Sequence, residues 1–207
     1  MHSRSTLSEI NFLPQRFIIC LLYQATIMAL YFITGNKNKF TEVSAILPNV
    51  EQLDIDLPEV QDIDAKEIIK AKLLEALNYK QAEFIVEDTS LYFDCLNGLP
   101  GPLIKWFMKT IGNDGLFNIV EKLGNNKAEA KTIIGYAKSP DEIYYFEGSI
   151  KGTIISPIGR SGFGWDPIFQ PDGFSKSFAE LTQEEKNEIS MRRIALNKLK
   201  EFMGAKN

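Results

Sequence analysis

Histidine and cysteine are scarce in this chain of 207 residues. The single histidine is His2, and the two cysteines are Cys20 and Cys95. The usual base of Ser-His-Asp and Cys-His enzymes is therefore missing from the body of the chain, and neither a disulfide framework nor a four-cysteine zinc site can be built. We expect a protein of a reducing compartment, the cytoplasm, whose chemistry depends on carboxylates, lysines and a hard metal ion.

Positive charge is in short supply as well. The chain carries 23 Lys and Arg against 27 Asp and Glu, which gives a formal net charge of -4. A general nucleic-acid binder needs a basic surface that displaces counterions, so we expect no nucleic-acid partner. A bound anion must instead meet a local cluster of cations. With 44% hydrophobic and 24% charged residues, the composition is typical of one soluble globular unit with a sizeable core.

A long apolar run is also missing. The best candidate, residues 17–23, follows basic residues, which makes a signal peptide one interpretation, but an Ala-x-Ala cleavage pattern is lacking. Spanning a bilayer would require residues 29–33, which we assign to a core strand, so we expect no membrane partner. We expect residues 1–27 to be an extension upstream of a start at Met28 or a poorly ordered tail, and residues 28–207 to form one domain of two lobes that share a sheet.

Short β-type runs alternate with helical patterns along the remaining sequence, which predicts a mixed α/β domain of the α+β kind. The predicted strands cover residues 29–34, 50–57 and 84–86, and a hairpin covers 128–137 and 142–151. The predicted helices cover residues 40–47, 65–77, 104–109 and 115–123, and a last helix opens with a capping box at Thr182 and runs to 203. Prolines and glycines exclude regular structure from 98–102, and 152–173 is predicted to be rich in loops.

A tight turn at residues 34–39, TGNKNK, lies where a predicted strand passes into a helix. Free backbone N–H groups and the positive end of the helix dipole suit such a turn to phosphate. Lys37 and Lys39 fall in the first helical turn, where cations are disfavoured by the dipole, and a bound anion would remove that conflict. An ordinary solvated helix start is the alternative interpretation.

Three acidic residues lie at predicted element edges: Glu59 after a proline, and Glu87 and Asp88 at a strand end. Carboxylates of this kind suit Mg²⁺, which takes oxygen ligands and bridges substrate phosphates. Capping of strand ends is the competing explanation. Together with the turn at 34–39, they form the minimum apparatus for attack by water on phosphorus.

Two further clusters carry polar groups among apolar ones. Lys105 interrupts an apolar stretch and could reach a phosphate or simply extend its charged end to solvent. In residues 161–173, glycines bracket an aromatic residue and Asp166 lies between Trp165 and a proline. An aromatic face on a stiff loop suits stacking on a purine, whereas an aromatic plug of the core is the alternative.

Six segments, taken in order, resemble the inosine triphosphate pyrophosphatase family. They are TGNKNKF at 34–40, DLPEVQ at 56–61, VEDTSL at 86–91, GLPGPLIKWF at 98–107, SGFGWDPIFQPDG at 161–173 and EKNEISMRR at 185–193. The resemblance implies an elongated mixed twisted sheet flanked by helices, two lobes with a nucleotide cleft between them, and a homodimer. It also implies Mg²⁺-dependent conversion of inosine and xanthosine triphosphates, and other non-standard purine nucleotides, to the monophosphate and pyrophosphate.

Site residues follow from the resemblance position by position. It implies that Asp88 orients or deprotonates the water, that Lys39 stabilises phosphate charge, and that Glu59 and Asp88 serve the metal. The implied substrate-binding residues are Thr34, Gly35, Asn36, Lys37, Asn38, Lys39, Lys72, Thr89, Lys105, Phe163, Gly164, Trp165, Asp166, Lys186, Met191 and Arg192.

One departure from the family pattern concerns base selectivity. Where the family usually has Ser-His-Arg, this chain reads Ser190-Met191-Arg192. A hydrogen-bond donor near the purine 6-oxo group is thus replaced by an apolar thioether. Losing one such bond costs on the order of 1 kcal/mol, so we expect catalysis to survive and selectivity for the 6-oxo group to weaken.

Two rival functions remain open on the sequence. A sister pyrophosphatase with other or broader nucleotide specificity would share the same apparatus. A regulatory module that binds nucleotides without turnover belongs to a different class, and the presence of Glu59, Asp88 and Lys39 speaks against it.

Overall fold

A mixed sheet of seven strands organises the structure, a computed structural model that describes residues 28–158 and 164–205. The strands are β1 (Leu30–Ile33), β2 (Val50–Leu53), β3 (Glu83–Phe93), β4 (Pro100–Gly101), β5 (Lys127–Ser139), β6 (Glu142–Ile154) and β7 (Phe169–Pro171). Their order is β2-β1-β3-β5-β6-β7, with β4 paired to β3. β1 is parallel to both β2 and β3, and the other pairs are antiparallel. The predicted mixed α/β class is confirmed.

Helices cover both faces of the sheet. Within the described residues they are α1 (Lys37–Ile46), α2 (Ala65–Tyr79), α3 (Ile104–Thr110), α4 (Gly112–Leu123), α5 (Gln183–Ile189) and α6 (Met191–Gly204). The predicted capping box at Thr182 is confirmed, since its side chain accepts from Glu185 N and the Glu185 carboxylate accepts from Thr182 N. None of these helices is long and apolar enough to cross a membrane.

The side-chain period of two along each strand divides the core between the faces. Phe84 and Val86 pack with α2, whereas Ile85 packs with α1 and α6. Two glycines of the hairpin allow this close packing. A Cβ at Gly135 would lie 2.2 Å from Ile69 Cγ2 of α2, and a Cβ at Gly148 would lie 2.0 Å from the carbonyl oxygen of Met191 in α6. A third cluster packs α3, α4 and the segment 165–181 on the far halves of β3 and β5.

β3 is much longer than predicted. It continues through Glu87 and Asp88 to Phe93, because β5 supplies an antiparallel partner from Phe84↔Ala137 to Phe93↔Ala128. The two acidic residues therefore lie in mid-strand, and the predicted strand end at this point is wrong. The sheet fixes their directions, since neighbouring residues of a strand face opposite sides.

Three further differences from the prediction concern the end of β2, a break in the last helix and the segment 98–102. β2 ends at Leu53, the last residue that pairs with β1, and not at residue 57. The predicted last helix is interrupted at Ser190, which is extended (φ -66°, ψ 139°) and whose side chain accepts from Arg193 N, so that α6 starts anew there. The glycine- and proline-rich segment 98–102 does contribute two residues, β4, to the sheet.

Candidate active site

A cleft of about 960 Å³ opens above the middle of β3. Its walls come from the start of α1, the segment 59–61, α2, α3, the segment 164–166, α5 and the start of α6. Of the residues implied by the sequence, the lining includes Asn36, Asn38, Lys39, Glu59, Lys72, Asp88, Thr89, Lys105, Gly164, Trp165, Asp166, Lys186, Met191 and Arg192.

The remaining candidates are not part of this lining. Among the described residues, Thr34, Gly35 and Lys37 lie beside the cleft wall without lining it. Phe163 lies outside the described residues, as do residues 1–27. The turn and the two carboxylates that were expected to meet do share one cavity. Asn36, Asn38 and Lys39 of the turn line it together with Glu59 and Asp88.

The turn before α1 is held by its own side chains. Thr34 Oγ1 accepts from Asn36 N at 3.1 Å, and Asn36 Oδ1 accepts from Asn38 N at 3.0 Å and Lys39 N at 3.3 Å. The prediction of free backbone N–H groups is therefore wrong for Asn38 and Lys39, because the Asn36 cap takes both. Gln52 Nε2 donates to the carbonyl of Thr34 at 2.7 Å, which ties the turn to β2.

A buried ion cluster joins the turn to the sheet. The Glu87 carboxylate lies 2.8 Å from Lys39 Nζ and accepts from Arg192 Nε at 2.8 Å and Nη2 at 3.1 Å. Burial alone would raise the pKa of Glu87, but Arg192 and Lys39 together lower it to about 2. Glu87 is therefore ionised throughout the neutral range.

Arg192 is engaged on both sides of its guanidinium. Its Nη1 donates to Glu42 Oε2 at 2.7 Å, in addition to the bonds with Glu87. Burial works against the charge, yet the two carboxylates hold the pKa of Arg192 above its ordinary value. Glu42 was missed at the sequence level. Its only signal is its place three residues after Lys39, on the same side of α1.

Asp88 faces the opposite side of β3 from Glu87. Burial raises the pKa of its carboxyl, against the opposing effects of a hydrogen bond from Ser90 and of the charges on Lys72 and Lys39. The Ser90 hydroxyl donates to Asp88 Oδ2 at 2.7 Å. Asp88 is thus a carboxylate that is partly desolvated and faces cations of α1 and α2.

A segment between β2 and α2 docks on α3 through two contacts. Lys105 Nζ donates to Glu59 Oε1, and Trp106 Nε1 donates to Gln61 Oε1. The hydrogen bond from Lys105 holds the pKa of Glu59 below its ordinary value. Gln61 was not among the predicted site residues, although it closes the DLPEVQ segment.

The carboxylates of the cleft suit a hard divalent cation. In residues 28–158 and 164–205, no group of three or more His, Cys, Asp or Glu side chains is arranged to hold a metal ion. Magnesium usually takes one or two carboxylates and completes its shell with water and substrate phosphates. Glu59 and Asp88, which line the same cleft, fit that smaller donor set.

The far wall of the cleft is aromatic and charged. The Trp165 ring packs edge-on to Phe169 at 5.5 Å and stacks on Phe178 at 6.1 Å between centroids, and it is only 7% exposed. Its geometry therefore favours the interpretation as a core plug. Asp166 is buried and accepts from Lys186 Nζ.

Met191 is buried where α6 begins, 5% exposed, and packs in the cluster of α3 and α4 while lining the cleft.

Comparison with protein families gives a match over most of the chain. A sequence model described as the Ham1 family matches residues 30–202. The inosine triphosphate pyrophosphatase of Schizosaccharomyces pombe is 40% identical over 181 residues, which cover 86% of this chain and 96% of that protein. Inosine triphosphate pyrophosphatase 1 of Trypanosoma cruzi is 44% identical over 173 residues, which cover 81% of this chain and 88% of that protein.

Solved structures with the same fold include the Ham1 protein of Staphylococcus aureus, with a TM-score of 0.73 and 25% identity over 86% of this chain and 100% of that one. A second is described as a nucleoside-triphosphatase or dITP/XTP pyrophosphatase from Mycobacterium abscessus. Its TM-score is 0.66 at 28% identity, over 82% of this chain and 97% of that one.

Proposed function

The chain belongs to the Ham1 family, and from that premise we propose that it hydrolyses non-standard purine nucleoside triphosphates to the monophosphate and pyrophosphate. The relatives that it matches almost end to end are named inosine triphosphate pyrophosphatases, and a structural relative is described as a dITP/XTP pyrophosphatase. Inosine and xanthosine triphosphates and their deoxy forms are the proposed substrates.

One observation carries this proposal: Lys39, Lys72 and Lys105 line a single cleft together with Glu59 and Asp88. A triphosphate carries several negative charges, and Lys39, Lys72 and Lys105 are among the cations that line the cleft, together with Lys109 and Lys186. The Asn36 cap supports the proposal because it fixes the turn before any ligand arrives. A preorganised cradle avoids the ordering cost of binding.

Glu59 and Asp88 would hold a magnesium ion, which supplies positive charge to the phosphate oxygens when it is bound. Two lysines of the protein would contact the phosphates. Lys105 would exchange its partner Glu59 for a phosphate oxygen as the nucleotide enters. Lys39 remains oriented by Glu87, 2.8 Å away.

The proposed reaction is an attack by water on the α-phosphorus. The water oxygen forms the new bond to phosphorus, the bond from the α-phosphorus to the oxygen bridging to the β-phosphorus breaks, and pyrophosphate leaves. Asp88 orients the water and accepts its proton. Lys39 and Lys72 stabilise the charge that develops on the phosphate oxygens. A covalent intermediate is not required.

The base would lie against the wall formed by Gly164, Asp166, Lys186 and the start of α6. Asn113 Nδ2 donates to the carbonyl of Gly164 at 3.1 Å, which supports this wall from α4. Arg192 lines the same region, although Glu87 and Glu42 already engage it. Phe163 keeps its proposed role as the stacking aromatic.

Pyrophosphate release from dITP, with and without Mg²⁺, tests the proposal. We expect the wild type to release one pyrophosphate per monophosphate only with the metal. Asp88→Asn should lower kcat at least about a hundredfold, the typical contribution of a general base. Asp94→Asn is the matched control, since Asp94 is exposed at the end of β3. If no triphosphate yields pyrophosphate, the protein is a nucleotide-binding module instead.

A broader substrate range is the second candidate, and Met191 favours it. Its apolar side chain lines the base side of the cleft and offers no hydrogen-bond donor to a 6-oxo group. The specificity constants for dITP, XTP, dATP and dGTP separate the two candidates.

We also propose a cytoplasmic homodimer. The small number of cysteines supports the reducing compartment, and the dimer follows from the family resemblance. Light scattering on the purified chain tests the dimer, and a single-protomer mass would contradict it.

A further inference from the structure

Three side chains beside the cleft form a line along β3. Asp88, Ser90 and Tyr92 occupy alternate positions of one strand, so they lie on the same face of the sheet. Ser90 Oγ donates to Asp88 Oδ2 at 2.7 Å, and Tyr92 is the next side chain on that face. The carboxylate of Asp88 is thus tied to a side chain of its own strand.

The bond to Asp88 has one direction. A serine hydroxyl has a single hydrogen, and Ser90 gives it to Asp88 Oδ2, so Ser90 is the donor and the carboxylate oxygen accepts.

The surroundings hold Ser90 and Tyr92 in place. Ser90 is only 1% exposed. Lys131, which is directly opposite Ser90 on β5, lies with its Nζ 5.3 Å from the centroid of the Tyr92 ring and forms an ion pair with Glu147 at 2.9 Å. Tyr92 is therefore covered by a cation that is itself fixed by a carboxylate.

We propose that Ser90 is a positioning residue for Asp88. One oxygen of Asp88, Oδ2, is committed to the serine, so the other, Oδ1, is left for the reaction. The inference rests on the proposed hydrolase function and assigns to it a residue, Ser90, that lines no part of the cleft. Catalytic groups that are held in this way avoid the large loss of rate that follows a small misplacement.

The kinetic constants for dITP test the role of Ser90. We expect Ser90→Ala to lower kcat about tenfold, the effect of one hydrogen bond to a charged group, and to leave KM within about twofold. Ser90→Thr keeps the hydroxyl and should restore most of kcat. Ser149→Ala is the matched control, because Ser149 pairs with Lys131 from the other side on the same face and is exposed.

An unchanged kcat in Ser90→Ala, or a Ser90→Thr that is no more active than Ser90→Ala, would overturn the proposal.

Thermal melting of each variant keeps the result interpretable. If Ser90→Ala melts below the assay temperature, Ser90→Cys replaces it, since a thiol has a similar size but donates only weakly; the same tenfold loss is expected, and wild-type kcat would contradict the proposal. Failure of the wild type to release pyrophosphate would contradict the hydrolase function, whereas normal wild-type turnover with unaltered serine variants would contradict the positioning role alone.

Discussion

Arg192 holds Glu87 with two parallel hydrogen bonds, from Nε at 2.8 Å and from Nη2 at 3.1 Å. The pair joins the first turn of α6 to the middle of β3, and Lys39 adds α1 to the same carboxylate. A single buried anion thus fixes the phosphate side and the base side of the cleft relative to each other. Paired cations are the condition under which such an anion is stable inside a protein.

The first prediction concerns stability and Glu87. Its pKa in the folded protein is about 2, below the ordinary 4.5, so the unfolded chain binds more protons than the folded one as pH falls from 4.5 to 2. The contribution of Glu87, about 3 kcal/mol, is therefore complete above pH 4.5 and lost on acidification through that window. Urea unfolding should show Glu87→Gln to be less stable by that amount at pH 7, and by roughly half of it at pH 3.

Glu184→Gln is the matched control for this measurement, since Glu184 is exposed in the first turn of α5. Its effect should stay within about 0.5 kcal/mol at both pH values. A difference between wild type and Glu87→Gln that did not shrink with acid would contradict the assignment.

The second prediction concerns the shape of the Arg192 side chain. Three of its nitrogens donate to Glu87 and Glu42, an arrangement that a lysine ammonium cannot reproduce. We expect Arg192→Lys to lower the free energy of unfolding by about 2 kcal/mol and kcat/KM for dITP by roughly tenfold. Arg193→Lys, one residue on and exposed, should change neither. If both substitutions had the same effect, the hydrogen bonds from Arg192 to Glu87 and Glu42 would not be the cause.

The third prediction concerns base selectivity at Met191. Introducing an imidazole donor by Met191→His should raise the ratio of kcat/KM for dITP over dATP about fivefold, because one hydrogen bond to a 6-oxo group contributes on the order of 1 kcal/mol. Met191→Leu, which keeps the site apolar, should leave the ratio as it is. The specificity constants of the three proteins give the answer, and an unchanged ratio in Met191→His would reject the idea.

The fourth prediction concerns the exchange of partners by Lys105. Its ammonium donates to Glu59 and would pass to a phosphate when nucleotide binds. Lys105→Met should therefore raise KM for dITP about tenfold or more, since a charge-assisted bond to phosphate is lost. Lys122→Met, in the last turn of α4 and exposed, is the control. A KM that was the same in both variants would show that Lys105 does not reach the substrate.

Local chemistry explains which elements were predictable. The turn at 34–39, the hairpin and the capping box at Thr182 depend on neighbours in sequence, and the structure contains all three. The length of β3 depends on β5, a partner more than 30 residues away, so the sequence around Glu87 could not reveal a mid-strand position. Ser190 lies within a continuous helical pattern in the sequence, and its role as the cap of α6 depends on its extended backbone conformation.

The same distinction applies to the cleft. Glu59, Lys105 and Asp88 were predicted as residue types that suit a triphosphate and a metal, and they line one cavity. Glu42 gave no comparable signal because its role depends on Arg192, 150 residues later. Trp165 was an aromatic on a loop, and only its packing on Phe169 and Phe178 reveals that its ring belongs to the core.

Gly148 has a bearing on how this protein can change. With room for only a hydrogen atom between β6 and the carbonyl of Met191, the backbone at the start of α6 cannot be pushed outward or drawn inward without a clash or a void. A change of nucleobase preference must therefore come from side-chain substitutions, while the backbone at the start of α6 stays in place. A sequence descended from this one could replace residue 191 with a side chain of similar volume, but any side chain at 148 would displace the start of α6 that carries residue 191.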